Sequence, residues 1–399
     1  MKTLHRLLHD IVRAVAPLLI GVVVGCGLSG DAAVAKLDRA VLRVTERGIH
    51  SAVLWVDAPR YGIQRGFAHG VANVAGGVAM TVDTPFLSAS VGKLFVATAI
   101  LRLVGDGRLS LEDPVTQFVS MDELQGLPVE GGDAAFAGMT IAMLLSHRTG
   151  LPDYFSDPSH DGAPRLFDRI ATEPDRVWTR REMLDYARAH YRPVGAPGVL
   201  FHYSDTNYDL LGLVLEAVTG KPFHEAVREL VLTPLGLERT WYHAFETAPE
   251  GVLATADVWI GGVNLGGTAA LSVDQAGGGL VTTVGDLRDF LRALIDGRPV
   301  PLSSLSTDFT EDAMHAGIDV GRGAWRIRPG GIFFALAGLP TLEGHSGATG
   351  VWAYYAAEWD VVLTGAVSDS AWQEQHIEFL LRDVLPVLAR TERTNDVPP

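Results

Sequence analysis

Phe86-Leu87-Ser88-Ala89-Ser90-Val91-Gly92-Lys93-Leu94-Phe95-Val96-Ala97-Thr98-Ala99-Ile100-Leu101 is the stretch on which the reading of the fold turns. A helix beginning at or near Ser90 would be apolar on every side, so it is expected to be buried rather than amphipathic. Lys93 interrupts that apolar run. The chain has four lysines, Lys2, Lys36, Lys93 and Lys221, and arginine carries nearly all the remaining positive charge. Arginine keeps its proton in proteins, whereas a buried lysine can lose it and serve as a base. Ser90 and Lys93 stand three residues apart, which puts hydroxyl and amine on one helix face. Ser90 at the helix N-terminus would also place the positive end of the dipole beside a developing alkoxide. A hydroxyl beside such an amine is an acyl-transfer arrangement, although the spacing alone is common by chance.

Outward from this segment the chain changes period. Towards the N-terminus, Val34, Leu37, Val41 and Val44 recur at helical spacing before Gly48, and Ser51–Val56 and Gln64–Asn73 read as an antiparallel hairpin. Residues 106–255 read as helix and loop. Thr140 is a candidate cap for Ile141–Ser146, and Thr179-Arg180-Arg181-Glu182 fits a capping box. A helix over Asp205–Val218 ends at Gly220, and another covers Val284–Ile295. Strands return at Ala324–Arg328, Val351–Ala357 and Asp360–Ser368, followed by an amphipathic helix Trp372–Leu385 that Pro386 should stop. The expected fold class is α/β (α+β): an antiparallel sheet built from both chain termini and flanked by helices, with an inserted all-helical lobe at about 106–255. The main domain spans 33–390, and the polar residues 391–399 are expected to be a disordered tail.

Hydrophobic residues make up 47% of the 399, which excludes a disordered chain. The net charge of −15 argues against a nucleic-acid partner. Lys2, Arg6 and Arg13 precede an apolar stretch, Ala14–Val24, too short to span a bilayer and suited to a signal-peptide core. It ends at Val23-Val24-Gly25-Cys26, which resembles a bacterial lipobox. Residues 1–25 therefore read as a lipoprotein signal peptide, Cys26 as the lipidated residue and 26–32 as a tether. Cys26 is the chain's one cysteine, so no intrachain disulfide can form. The product would be exported and membrane-anchored through its lipid, facing the periplasm or cell surface.

Further segments support the Ser90–Lys93 pair. Leu109-Ser110-Leu111-Glu112-Asp113-Pro114, Leu144-Leu145-Ser146-His147-Arg148-Thr149-Gly150-Leu151, Tyr203-Ser204-Asp205, Gly278-Gly279-Leu280-Val281-Thr282-Thr283 and Gly344-His345-Ser346-Gly347 follow in order. Together with Phe86–Lys93 they resemble the serine beta-lactamase-like superfamily, which includes class C beta-lactamases, D-alanyl-D-alanine carboxypeptidases and related esterases. The resemblance implies a role for each residue. Ser90 is the nucleophile, Lys93 a base or orienter, and Tyr203 a relay whose phenol pKa the lysine could lower. His345 lines the far wall on an edge strand, and the backbone N–H groups of Ser90 and Ala348 form an oxyanion hole, with Asp205, Ser346 and Gly347 beside the substrate. Asp205 stands where the superfamily has asparagine; it would pair with Lys93 and raise its pKa, moving the burden to Tyr203. His345 stands where class C beta-lactamases have lysine, so carboxypeptidase- or esterase-type members are the better analogues.

The expected reaction is acyl transfer from an amide or ester, of a small molecule or a peptidoglycan peptide, without metal or organic cofactor. A catalytically weak penicillin-binding or cell-wall-sensing protein of the same fold is the alternative. Gly344-His345-Ser346-Gly347-Ala348 lacks the last glycine of a nucleophile elbow and leads into a strand where an elbow needs a helix. No zinc-protease motif, P-loop or dinucleotide glycine motif is present.

Overall fold

The computed structural model describes residues 27–394. The signal segment 1–25, Cys26 and residues 395–399 lie outside the described residues. The chain opens with helix α1 (Gly30–Glu46), capped by the Ser29 hydroxyl, so the helix takes in residues read as tether. Hairpin strands β1 (Ser51–Ala58) and β2 (Ile63–Asn73) follow, then the short β3 (Val78–Ala79). Helices α2 (Lys93–Gly105), α3 (Ile141–Leu145), α4 (Arg180–His190), α5 (Thr206–Thr219) and α6 (Val284–Ile295) lead to the second half of the sheet. That half comprises β4 (Thr310–His315), β5 (Ile318–Val320), β6 (Trp325–Ile327), β7 (Leu342–Gly347), β8 (Val351–Ala356) and β9 (Val361–Ala366). The nine strands lie in the order β3-β2-β1-β9-β8-β7-β6-β5-β4, all antiparallel. Strands from the two ends of the chain meet where β1 pairs with β9. The strand bearing His345 is interior, between β8 and β6, and not an edge strand.

Alternation on the central strands explains the layering. Val53, Val351, Ala353, Val362 and Ala366 face the core that holds α2, α5 and α6. Leu54, Val56, Trp352, Tyr354, Val361 and Leu363 face the core under α1 and the C-terminal helix. Both faces being covered, β8 and β9 read as nearly continuous apolar runs. Gly365 fits this packing because a Cβ there would stand 2.1 Å from the Trp352 ring.

Three expectations need correction. The segment 106–255 is not all helical: Trp241–Tyr242 and Phe86–Leu87 both pair with Leu280–Thr282 in a small separate sheet. Pro386 does not stop the last helix. The α turns Gln375–Phe379 pass into a π turn, Leu380–Val384, and resume as Leu385–Arg390 with the proline in the new first turn, where its missing N–H costs little. Residues 391–394 of the expected tail are packed: Thr391 bridges to Leu28, and the Thr394 amide donates to Arg60.

His376 on the C-terminal helix is 1% exposed and lies parallel over Trp352 with ring centroids 6.0 Å apart. Burial pushes its pKa down to about 4. The unfolded chain takes up this proton first as pH falls below about 6.5, so the contribution to stability is complete above that value and is lost towards pH 4. His376→Leu is expected to gain stability over the wild type by roughly 2 kcal/mol between pH 7 and pH 5. Chemical denaturation of both proteins at the two values checks it; a pH-independent difference would show that His376 is not protonated on unfolding.

Candidate active site

Ser90 sits in a 3₁₀ turn, Ala89–Gly92, immediately before α2 rather than in its first α turn. The pairing of Phe86–Leu87 with Leu280–Thr282 fixes the approach to this turn. Ala89 takes a left-handed conformation, φ 44°, which aims the turn at the cost of backbone strain. A Cβ on Gly278 would lie 2.4 Å from the Ala89 backbone, so only glycine lets the two segments approach this closely.

Lys93 opens α2 and is completely buried. Its Nζ donates to Ser90 Oγ at 3.1 Å, to the Gly277 carbonyl at 2.9 Å and to Asp205 Oδ1. An ammonium has three N–H donors, and all three are directed at acceptors. Burial works against the charge, but the carboxylates of Asp205, foremost, and Asp274 outweigh it and hold the pKa well above the ordinary lysine value. The resting group is an ammonium that donates to Ser90, not a neutral amine waiting to accept its proton. Asp205, expected beside the substrate, has an oxygen engaged by Lys93.

Tyr203 lies just ahead of α5, with Lys93 Nζ 5.3 Å from its ring centroid. Its hydroxyl faces Ser90 and Lys93, is buried and makes no hydrogen bond of ordinary geometry. Burial raises the phenol pKa, and the lysine offsets only part of that rise. The lowered value expected from the ammonium is therefore not what the structure shows. Tyr203 is a neutral phenol at physiological pH.

His345 on β7 is 1% exposed. Its Nδ1 meets the Ser346 carbonyl at 2.7 Å; a carbonyl only accepts, so Nδ1 carries the proton and Nε2 is free to accept. Burial first, and Lys93 second, push its pKa down to about 3. Gly347 lies against the nucleophile turn, where a Cβ would stand 2.8 Å from Ser88 O and 3.2 Å from Ser90 N. Ser346 is buried in β7, and Ala348 opens the turn after it, one residue beyond that approach. Ser90, Lys93, Tyr203, Asp205 and His345 thus come together, with Gly347 against Ser90.

Sequence reasoning missed several neighbours. His147 stacks on Tyr203 with centroids 4.2 Å apart, and Trp325 on β6 meets Tyr203 edge-on at 6.2 Å and His345 at 4.7 Å. Burial raises Asp274 to about 7 despite Lys93, and Asp153 to about 7 with Asp205 adding to the rise. His147 lay inside a quoted segment, but nothing in the pattern marks Asp274, Asp153 or Trp325. Among the described residues, no group of His, Cys, Asp or Glu side chains is arranged to hold a metal ion.

The chain is similar to several known proteins. The chain is 33% identical over 186 residues to penicillin-binding protein 4 of Amycolatopsis lactamdurans, covering 47% of this chain and 42% of that protein. It is 37% identical over 173 residues to esterase EstB of Burkholderia gladioli, covering 43% and 41% respectively. The matches thus span about two fifths of the length of these curated relatives. The D-amino acid amidase of Ochrobactrum anthropi SV3, complexed with L-phenylalanine amide, superposes with a TM-score of 0.72 at 25% identity, over 90% of this chain and 98% of that one. A model of the beta-lactamase family matches residues 37–382, and with that extent of match this chain belongs to the beta-lactamase family.

Proposed function

We propose that the protein is a serine acyl hydrolase that works through an acyl-enzyme, on a carboxypeptidase-type amide or an ester. The observation that carries this reading is the hydrogen bond from the buried Lys93 ammonium to Ser90 Oγ beside the unbonded Tyr203 hydroxyl. The ammonium lowers the cost of negative charge on Oγ and orients its lone pairs. As Oγ bonds to the carbonyl carbon, its proton passes to the Tyr203 oxygen while the Tyr203 proton passes to the leaving oxygen or nitrogen. Tyr203 is neutral before and after, as its raised pKa requires. Water then attacks the acyl-enzyme and returns a proton to Ser90 by the same route. The backbone N–H groups of Ser90 and Ala348 are assigned to the developing oxyanion, with Ser346 and Gly347 along the substrate.

Charge narrows the acyl donor. His345 is neutral where a cation would hold a substrate carboxylate, and the Lys93 ammonium is already paired with Asp205. Of two p-nitrophenyl esters, one neutral and one bearing a carboxylate next to the scissile bond, the neutral one is expected to be preferred by at least about tenfold in kcat/KM. Steady-state assays of both decide it, and a preference for the carboxylate would overturn the charge argument. Slow turnover with a stable adduct would instead favour a penicillin-binding or sensing role, which the engagement of Asp205 by Lys93 also permits. We further propose export and lipidation at Cys26; fractionation of the wild type against Cys26→Ser checks the anchor, which fails if both partition alike.

A further inference from the structure

We propose that His147 is a positioning residue that aims the Tyr203 hydroxyl. The inference rests on the relay role given to Tyr203 above. A buried side chain is ordinarily oriented by the hydrogen bonds of its polar end, yet the Tyr203 hydroxyl makes none of ordinary geometry. Ser90 and Lys93 face it without a bond of ordinary geometry, so the contacts of the ring carry a larger share in setting its direction. His147 covers one face, 4.2 Å away and 24° from parallel, and Trp325 meets the ring edge-on. The stack is the closer contact.

His147 is itself held from several directions. It adopts φ 54°, a left-handed conformation uncommon for a residue with a side chain. Its carbonyl accepts from the His202 amide at 2.9 Å, tying it to the residue before Tyr203. Its Nδ1 accepts from the Ser204 amide at 3.2 Å, on the residue after Tyr203, and from Asn207 Nδ2 at 3.2 Å. A backbone amide only donates, so Nδ1 is unprotonated and the ring proton is on Nε2. Asn207 Oδ1 in turn accepts from Thr149 Oγ1 at 2.5 Å, which fixes the amide so that its nitrogen faces the histidine. His147 thus grips the chain on both sides of Tyr203 and stacks on the ring between.

The imidazole remains neutral in this place. Burial, then Lys93 and His345, hold its pKa well below the ordinary histidine value. His147 neither gives nor takes a proton in the reaction, and its effect is on where the phenol oxygen points. A displacement of order 1 Å in a proton-transfer group costs about 100-fold in rate.

Leaving-group dependence separates this role from a general loss of structure. A nitrophenolate departs without a proton, so Tyr203 takes the Ser90 proton and passes its own to water; an alkyl amide or alkyl ester needs that second proton delivered to the leaving atom itself. His147→Phe keeps a stacking ring and loses the acceptor; His147→Gln keeps an acceptor and loses the ring. Expected for the glutamine variant is a fall of about 100-fold in kcat on the alkyl substrate with KM little changed, against a smaller fall of about tenfold on the p-nitrophenyl ester, which still needs Tyr203 to take the Ser90 proton. The phenylalanine variant, which keeps a ring against Tyr203 but not the acceptor, should melt lower yet lose at least about tenfold less than the glutamine variant on the alkyl substrate. Equal losses on the two substrates in His147→Gln, full activity of His147→Gln on the alkyl substrate, or a loss in His147→Phe as large as in His147→Gln overturn the proposal. If His147→Phe does not fold, His147→Gln decides alone; if His147→Gln does not fold, His147→Leu, which also removes the ring, takes its place in the same comparison. Tyr203→Phe is measured alongside: absence of leaving-group dependence there overturns the relay reading, and the positioning role falls with it. Dependence in Tyr203→Phe but not in His147→Gln overturns the positioning role alone.

Discussion

Ser90→Ala is expected to lower kcat/KM on a p-nitrophenyl ester by about 10⁴-fold or more and to abolish labelling by a fluorophosphonate. The substitution removes one oxygen from a half-buried position and leaves the remaining site intact. Lys93 loses one of its three acceptors but keeps Asp205 and the Gly277 carbonyl, so its charge stays paired. Stability should therefore change by less than about 1 kcal/mol, and the loss of rate is chemical rather than a folding defect. Intact-mass measurement after the probe gives a direct reading. Wild type should gain one adduct and the variant none, while equal labelling of both proteins would refute Ser90 as nucleophile.

How far this site could be read in advance depends on whether its signal is local. The Ser90–Lys93 pair is a spacing within one turn, and lysine scarcity draws attention to it. Strands β8 and β9 were legible because both faces are buried and their sequences are apolar throughout. Strand β7 was legible only through the resemblance, and as an edge strand: Leu342-Glu343-Gly344-His345-Ser346-Gly347 has little intrinsic strand preference and is held between β6 and β8. β4 and β5 escaped notice as well, the former being a largely exposed polar strand at the sheet edge. The protonation states were the least legible feature. Tyr203 beside an ammonium suggests a lowered pKa, but the desolvation that reverses it comes from residues distant in sequence, among them His147 and Trp325. Gly278 lets the segment bearing Asp274 close against Ala89, and a Cβ at Gly277 would stand 3.1 Å from Asp274 Oδ1 and 3.4 Å from Lys93 Nζ.

Lys93→Met is expected to lower kcat by about 10³-fold and to destabilise the fold by about 3–5 kcal/mol. The two losses have separate causes, and Asp205 separates them. Without the ammonium, Asp205, 7% exposed, is left as a buried carboxylate without its cationic partner, with Asp153 and Asp274 nearby. Leaving such a charge unpaired is the larger part of the destabilisation. Adding Asp205→Asn to Lys93→Met removes that charge, so most of the lost stability should return. Activity should not return, because nothing then donates to Ser90 Oγ or offsets negative charge on the Ser90 and Tyr203 oxygens during proton exchange. Denaturant melts and single-turnover rates on the two variants test both halves. Recovery of rate along with stability would mean that the lysine serves only to neutralise Asp205, and the ammonium's part in the chemistry would have to be given up. Continued instability of the double variant would place the cost elsewhere, in the cavity left beside Tyr203 and Tyr208, whose ring centroids each lie 5.3 Å from Nζ.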